Sequence, residues 1–251
     1  MHDLFGLIHL IALGLCIPFI VLTIIFARKL KLKTVLRILL IGGIVSETIK
    51  VFFYIIHNLD KFDGWGYLPK TDLPFHLCSI QIIFIIILNL SKNEKLKKLL
   101  MSFMLPTCLV GGIAALLIAT YSSRNFPIIT VQYFAYHTMI VCFSIFLFRT
   151  SEVEFKIKDY FNALIMLVGC FFFAIYLNSW VRAGDNSVNF MYVSGPPQEG
   201  LPYLNLNKGW LVYFIRYAML AFLCVTLVYI KPIIQAIKER AQKKTEKTES
   251  V

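Results

Sequence analysis

Apolar runs of about twenty residues recur along this chain between short polar segments, the length an α-helix needs to cross the hydrocarbon core of a bilayer. Seven runs can be drawn, at residues 4–27, 35–57, 74–90, 99–120, 128–148, 160–181 and 209–230. Within lipid, a single segment satisfies all its backbone N–H and C=O groups only as a helix. The pattern therefore predicts an all-α integral membrane protein: a bundle of seven transmembrane helices over residues 1–230, followed by a basic tail at 231–251. Pro106 and the pair Gly111-Gly112 mark kink sites in the fourth run. The polar stretch 182–208 is the longest connection, and its length predicts a lid, a binding element or a disordered segment.

The polar punctuation orients the bundle. Arg28, Lys29, Lys31, Lys33 and Arg37 follow the first run, and Lys92, Lys95, Lys97 and Lys98 follow the third. A mixed-charge segment, 149–159, follows the fifth, and the tail carries Lys231, Lys238, Arg240, Lys243, Lys244 and Lys247. These four segments hold 18 of the 25 Lys and Arg, against 5 in the other connections. By the positive-inside rule the N-terminus lies outside and the tail is cytoplasmic, in a multi-pass protein of the cell membrane. Met1, His2 and Asp3 supply no positive stretch before the first run, which reads as a span and not a signal peptide. Trp65 and Tyr67 are the expected interfacial anchors of the loop after the second span.

Composition agrees with lipid as the solvent. Of the 251 residues, 58% are hydrophobic and only 16% charged, against about 25% charged in an average soluble domain. The net charge of +11 does not point to nucleic acid, because the basic residues flank apolar runs and no nucleic-acid fold signature accompanies them. Six cysteines, Cys16, Cys78, Cys108, Cys142, Cys170 and Cys224, all fall within apolar runs. That placement argues against a disulfide framework and for small buried side chains, with one exception taken up next.

Ionisable residues inside spans are costly and ask for a partner or a function. The second run carries Glu47, Lys50, Tyr54 and His57 at spacings that put all four on one helical face. Glu47 and Lys50 can neutralise each other. Arg216, in the seventh run, then either completes a structural triad with Glu47 or offers a positive charge to a phosphate or carboxylate. The third run opens Leu73-Pro74-Phe75-His76-Leu77-Cys78, where Pro74 suits a first helical turn and Cys78 falls within two turns of the helix start. His76, two residues from Cys78, would point away from it on a regular helix, whereas Gln81 shares its face and can donate to an oxyanion or a lipid carbonyl. His137, on the fifth run in Tyr133-Phe134-Ala135-Tyr136-His137, can reach Cys78 from another helix as a base; the alternative is a hydrogen-bonded structural histidine. His57, His76, Cys78 and His137 share one side of the membrane as a possible metal set, but no tight ligand spacing supports a metal, and no cofactor is implied.

These residues resemble the YwaF-like family of bacterial integral membrane proteins. The resemblance rests on Leu73 to Cys78, on Tyr133-Phe134 with His137, on Glu47, and on Asn189-Phe190-Met191-Tyr192 in the long connection. The family is distantly similar to an animal transmembrane acyltransferase that remodels ether phospholipids through a cysteine acyl-enzyme with a histidine partner, and Cys78 and His137 fall at those two positions. The resemblance implies a lipid acyltransferase or acyl hydrolase working in the outer half of the bilayer, with membrane lipids as partners. In that reading Gln81 polarises the carbonyl, Arg216 and Lys50 hold a phosphate, and Asn189 helps to close the loop over the site. The alternative is a non-enzymatic lipid or small-solute binder or transporter that uses the same polar cavity.

Overall fold

The computed structural model describes residues 6–57, 68–118, 127–150, 152–182, 187–197 and 201–249. Trp65, Tyr67, the loop around Arg124 and the His57 side chain fall outside the described residues. Eight α-helices follow one another without a strand among the described residues: α1 Leu7–Phe26, α2 Leu32–His57, α3 Leu77–Leu90, α4 Glu94–Leu117, α5 Pro127–Thr150, α6 Ile157–Val181, α7 Trp210–Val228 and α8 Ile230–Glu249. Six of them, α1, α2, α4, α5, α6 and α7, are long and apolar enough to cross a membrane. The apolar helix α3 has 14 residues, about 21 Å at 1.5 Å per residue, short of a hydrocarbon core about 30 Å thick. The tail is a helix, not an irregular segment, and its basic sequence continues α7 after a break at Tyr229.

Successive helices alternate in direction, so the chain connections gather at two ends. One end holds the basic connections 27–31, 91–93 and 152–156 together with α8; the other holds 68–76, 187–197 and 201–209. We call these the basic end and the loop end. Helix α5 is the hub, with α1, α2 and α4 packed around it and α6 and α7 beyond α4. The outer faces of α1, α2 and α7 expose rows of Leu, Ile and Phe, as lipid contact requires. Since lipid is as apolar as these side chains, association depends on close packing and interhelical hydrogen bonds. Gly112 illustrates the first: a Cβ there would lie 2.6 Å from Val141 Cγ2 and 3.3 Å from the His137 carbonyl oxygen. Helix α4 runs through Gly111-Gly112 to Leu117, so Gly112 serves close approach to α5.

Polar side chains supply the second. His9 Nε2 lies 2.8 Å from the Leu116 carbonyl, joining α1 to α4. Gln132 donates to Ser46 across α5 and α2 at 2.6 Å, and Asn89 donates from α3 to the Leu36 carbonyl of α2 at 3.1 Å. Pro106 lacks the N–H that would bond the carbonyl four residues before it, at Ser102. That carbonyl accepts instead from the Tyr229 hydroxyl at 2.8 Å. The Ser102 hydroxyl donates to Lys98 O and contacts Asp159 Oδ1 at 3.1 Å, while Asp159 Oδ2 accepts the Lys156 N–H at the start of α6. The kink residue anticipated in α4 is thus the centre of a polar knot joining α4, α6 and the α7–α8 junction.

At the basic end, Glu154 receives Lys98 and Lys156, the latter at 2.7 Å. Hydrogen bonds from Lys156 and Lys98 hold its carboxyl down at about 2, against an ordinary 4.5. A carboxylate depressed on folding adds stability above its unfolded pKa and loses it as pH falls through the folded one. Glu154→Gln should therefore lower the melting temperature slightly at pH 6, shrink in effect as pH drops from about 4.5, and match the parent near pH 2. The group is exposed, so added salt should shrink the difference at pH 6 as well.

Candidate functional site

The approach to α3 differs from the expectation for Pro74. Residues Lys70–Asp72 form one 3₁₀ turn, the Phe75 N–H bonds the Leu73 carbonyl at 2.7 Å, and α3 begins only at Leu77, with extended His76 as N-cap. Leu73, held extended as residues before proline are, delays the helix by three residues. Cys78 therefore sits in the first turn of α3. The first intrahelical bond at this end is Ile80 N–H to His76 O at 2.9 Å, so the N–H groups of Leu77, Cys78 and Ser79 have no helical acceptor. His76, being outside the helix, takes its direction from the long connection, with its ring 5.6 Å from that of Phe190 and 5.3 Å from that of Tyr192.

Helix α5 meets this turn directly. The Tyr136 hydroxyl donates to the Cys78 carbonyl at 2.7 Å, and Cys78 packs against the core cluster that holds Cys108 and Tyr136. His137 is buried, with Nδ1 2.7 Å from the Tyr133 carbonyl. A carbonyl only accepts, so Nδ1 carries the proton and Nε2 keeps its lone pair, the tautomer of a proton acceptor. The Tyr133 ring is 4.1 Å away, centre to centre. Among the described residues Cys78 and His137 share no hydrogen bond; Tyr136, one residue before His137, is what bridges α5 to the cysteine. All six cysteines are free thiols.

Gln81, one turn below Cys78, is 1% exposed. Its Nε2 donates to Thr107 Oγ1 at 3.1 Å, and the Thr107 hydroxyl passes its own proton to Phe103 O at 2.7 Å. Gln81 Oε1 has no partner. Among the described residues the free group here is thus an acceptor, while the donor end of the amide is taken by Thr107.

The charged residues divide into two sets. Glu47 Oε1 lies 2.7 Å from Lys50 Nζ, an ion contact without hydrogen-bond alignment. Lys50 also lies within electrostatic reach of Asp72 and His76. Burial pushes the Asp72 carboxyl up, while Lys50 and hydrogen bonds from Thr71 and Tyr54 pull it back. Asp72 thus joins Glu47 and Lys50 beside the α3 entrance. Arg216 does not join them. Its Nη1 donates to Tyr203 O at 3.3 Å and its guanidinium lies 5.5 Å from the centre of the Tyr203 ring; among the described residues it forms no ion pair. The triad with Glu47 is absent, because the 201–209 segment occupies the guanidinium. Among the described residues no three His, Cys, Asp or Glu side chains converge as a metal set.

The described part of the long connection is a plug, not a loose lid. Val188 and Phe190 are fully buried, and Met191 and Val193 nearly so. Met191 and Tyr192 both have positive φ, 52° and 53°, a conformation costing a non-glycine residue about 1–2 kcal/mol. Four successive carbonyls are held from the bundle: Phe190 O by Asn178 at 3.0 Å, Met191 O by the Tyr217 hydroxyl at 2.8 Å, Tyr192 O by the Tyr213 hydroxyl, and Val193 O by the Trp210 indole at 3.0 Å. Asn178 also accepts the Phe190 N–H at 2.7 Å. Asn189 spends both ends of its amide inside the loop, accepting from Ser194 N–H and donating to Gly195 O. It braces the plug. The Asn178, Tyr213, Tyr217 and Trp210 anchors had no signal in a single sequence, since each reads as an ordinary helical position.

No curated protein and no solved structure matches the chain. The TMEM164 family matches residues 4–229, nearly the whole of the seven apolar runs and the plug between the last two, and this multi-pass membrane chain belongs to that family.

Proposed function

We propose that this protein is a lipid acyltransferase or acyl hydrolase with Cys78 as nucleophile and His137 as base. The observation that carries the reading is the position of Cys78 in the first turn of α3, where unpaired N–H groups face whatever the thiol attacks. His137 Nε2 takes the thiol proton, and the thiolate adds to an ester carbonyl. The carbonyl oxygen becomes an oxyanion received by the N–H groups of the α3 turn. Collapse breaks the ester C–O bond, the departing alkoxide takes the proton from His137, and the acyl group remains as a thioester on Cys78. An acceptor hydroxyl, or water, then gives its proton to His137 and attacks the thioester; the C–S bond breaks, the acyl group leaves on the acceptor oxygen, and the Cys78 thiolate takes the proton back from His137. The resemblance of the Leu73–Cys78 and Tyr133–His137 segments to YwaF-like proteins, and through them to a transmembrane acyltransferase, supports the assignment. Cys78 and His137 share no hydrogen bond at rest, so the cycle requires a shift at Tyr136 or the plug before proton transfer.

That same separation favours a second reading, a non-enzymatic lipid or solute binder in which His137 is structural. Acyl trapping decides between them. Purified protein incubated with a diacyl phospholipid and no acceptor should gain one acyl mass on Cys78, removable by hydroxylamine and missing from Cys78→Ser. A protein that binds the lipid and gains no mass is a binder.

The seven-span count and the outward N-terminus belong to this proposal, with α3 completing its crossing through the turn at residues 73–76. In a cysteine-free background, single cysteines at Lys31, Lys95 and Glu154 should resist an impermeant thiol reagent in intact cells, and ones at Tyr203 and Asn207 should react. The reverse pattern would put the Cys78 turn on the cytoplasmic side.

A further inference from the structure

A cleft of 310 Å³ opens at the loop end between the last turn of α6, the plug and the first turn of α7. It stands apart from the Cys78 turn, and none of the chemistry above uses it. Arg182, Ser179, Ser194 and Trp210 are among its walls, with Ile175 deeper along α6. Arg182 is the decisive group. Its Nε is sealed from solvent and unpartnered, and among the described residues its guanidinium has no carboxylate or carbonyl partner. A buried guanidinium edge without an acceptor costs free energy unless a ligand supplies one.

The charge around it favours an anion. The C-terminus of a helix is its negative end, but at α6 the Lys70 ammonium already caps that end, donating to Val181 O at 3.4 Å. Arg182 is therefore not needed to neutralise the helix. The Ser179 hydroxyl donates to Ile175 O at 2.8 Å, whereas the hydroxyl of Ser194, which lines the cleft from the plug side, has no hydrogen-bond partner among the described residues. A planar fork and a hydroxyl are the usual receivers of a phosphate.

Depth selects the source of the phosphate. Trp180 and Tyr176, one turn apart on α6, are 79% and 77% exposed, and Trp210 begins α7. Amphipathic rings of this kind gather where the hydrocarbon core meets the headgroups. The cleft lies at that level, with Ile175 leading toward the apolar side. We infer that it binds the phosphate of a phospholipid headgroup, with Arg182 as the principal contact and Trp210 as a wall.

The test uses the full chain in a nonionic detergent, with Trp65 and Trp180 replaced by Phe so that Trp210 is the sole indole. Dihexanoyl phosphatidic acid should change the Trp210 emission saturably, and dihexanoylglycerol, which lacks the phosphate, should not. Arg182→Gln should weaken the phospholipid by about tenfold or more, as loss of a charge-assisted bond does, and Arg182→Lys should recover part of it. If Arg182→Gln does not fold, Ser194→Phe, which fills the cleft from the plug, carries the same expected loss. Inorganic phosphate should bind much more weakly than the lipid; equal binding would make this a site for free phosphate and overturn the lipid assignment. Equal responses to the two lipids, or undiminished binding by folded Arg182→Gln and Ser194→Phe, would overturn the site itself.

Discussion

Cys78→Ala and His137→Ala should each abolish acyl transfer, and the double variant should be hardly slower than either alone. A nucleophile and its base act as one unit, so removing the second after the first has little left to cost. The measurement is turnover of a labelled diacyl phospholipid by purified protein, with folding checked by helical content and melting. Three controls sharpen it. Cys78→Ser keeps the shape of the turn and loses the readily formed thiolate, so it should fold as the parent does and fail to turn over. His76→Ala should act indirectly, because that ring is packed against Phe190 and Tyr192, and its main effect should be on the plug. Tyr136→Phe removes the side-chain bond from α5 to the Cys78 carbonyl and should slow the reaction while leaving the thiol able to react with a small alkylating agent. If folded Cys78→Ala keeps full activity, the cysteine mechanism is wrong; if His137→Ala keeps it while Cys78→Ala does not, the base lies elsewhere.

Asn178→Leu should release the plug. This one side chain holds both the N–H and the C=O of Phe190, at 2.7 and 3.0 Å, in a fully buried setting. Leucine fills similar space and leaves both groups unpaired, at about 1–3 kcal/mol each. The turn also stores strain at Met191 and Tyr192, so it holds its shape only while its anchors outweigh that cost. Protease sensitivity within 187–209 should rise sharply in Asn178→Leu, and the melting temperature should fall by several degrees. Tyr217→Phe, which loses a single bond to Met191 O, should do the same to a smaller degree. An Asn178→Leu protein as protease-resistant as the parent would show that packing of Val188 and Phe190 alone keeps the plug in place. In the acyltransferase reading the released plug also exposes His76 and the Cys78 turn to water, shifting the balance from transfer toward hydrolysis.

The long apolar runs by themselves determined the helical membrane class, because backbone groups in lipid have no partner but their own helix. Six of the seven runs are long apolar helices, with ends within about three residues of the drawn bounds except at α4, which begins at Glu94, five residues before the drawn start. The Glu47–Lys50 pair was legible for the same reason: a spacing of three on a helix is a local geometry. Only tertiary structure decided where α3 begins, since Pro74 is compatible with a first helical turn until the turns over 70–75 and the packing of His76 on Phe190 and Tyr192 delay the helix to Leu77. It likewise assigned Arg216 to Tyr203, Gln81 to Thr107 and Asn189 to its own loop, and joined Asp72 to Lys50. Each of these choices rests on a partner distant in sequence or on the path of a loop, and a polar side chain on a helix takes whichever partner packing brings within about 3 Å. The plug is the clearest case. Its length reads equally as a lid, a binding element or a disordered segment, and only the structure shows Asn178, Trp210, Tyr213 and Tyr217 binding its carbonyls from two helices, because a strained turn in an apolar bundle is stable only when the surrounding helices satisfy it.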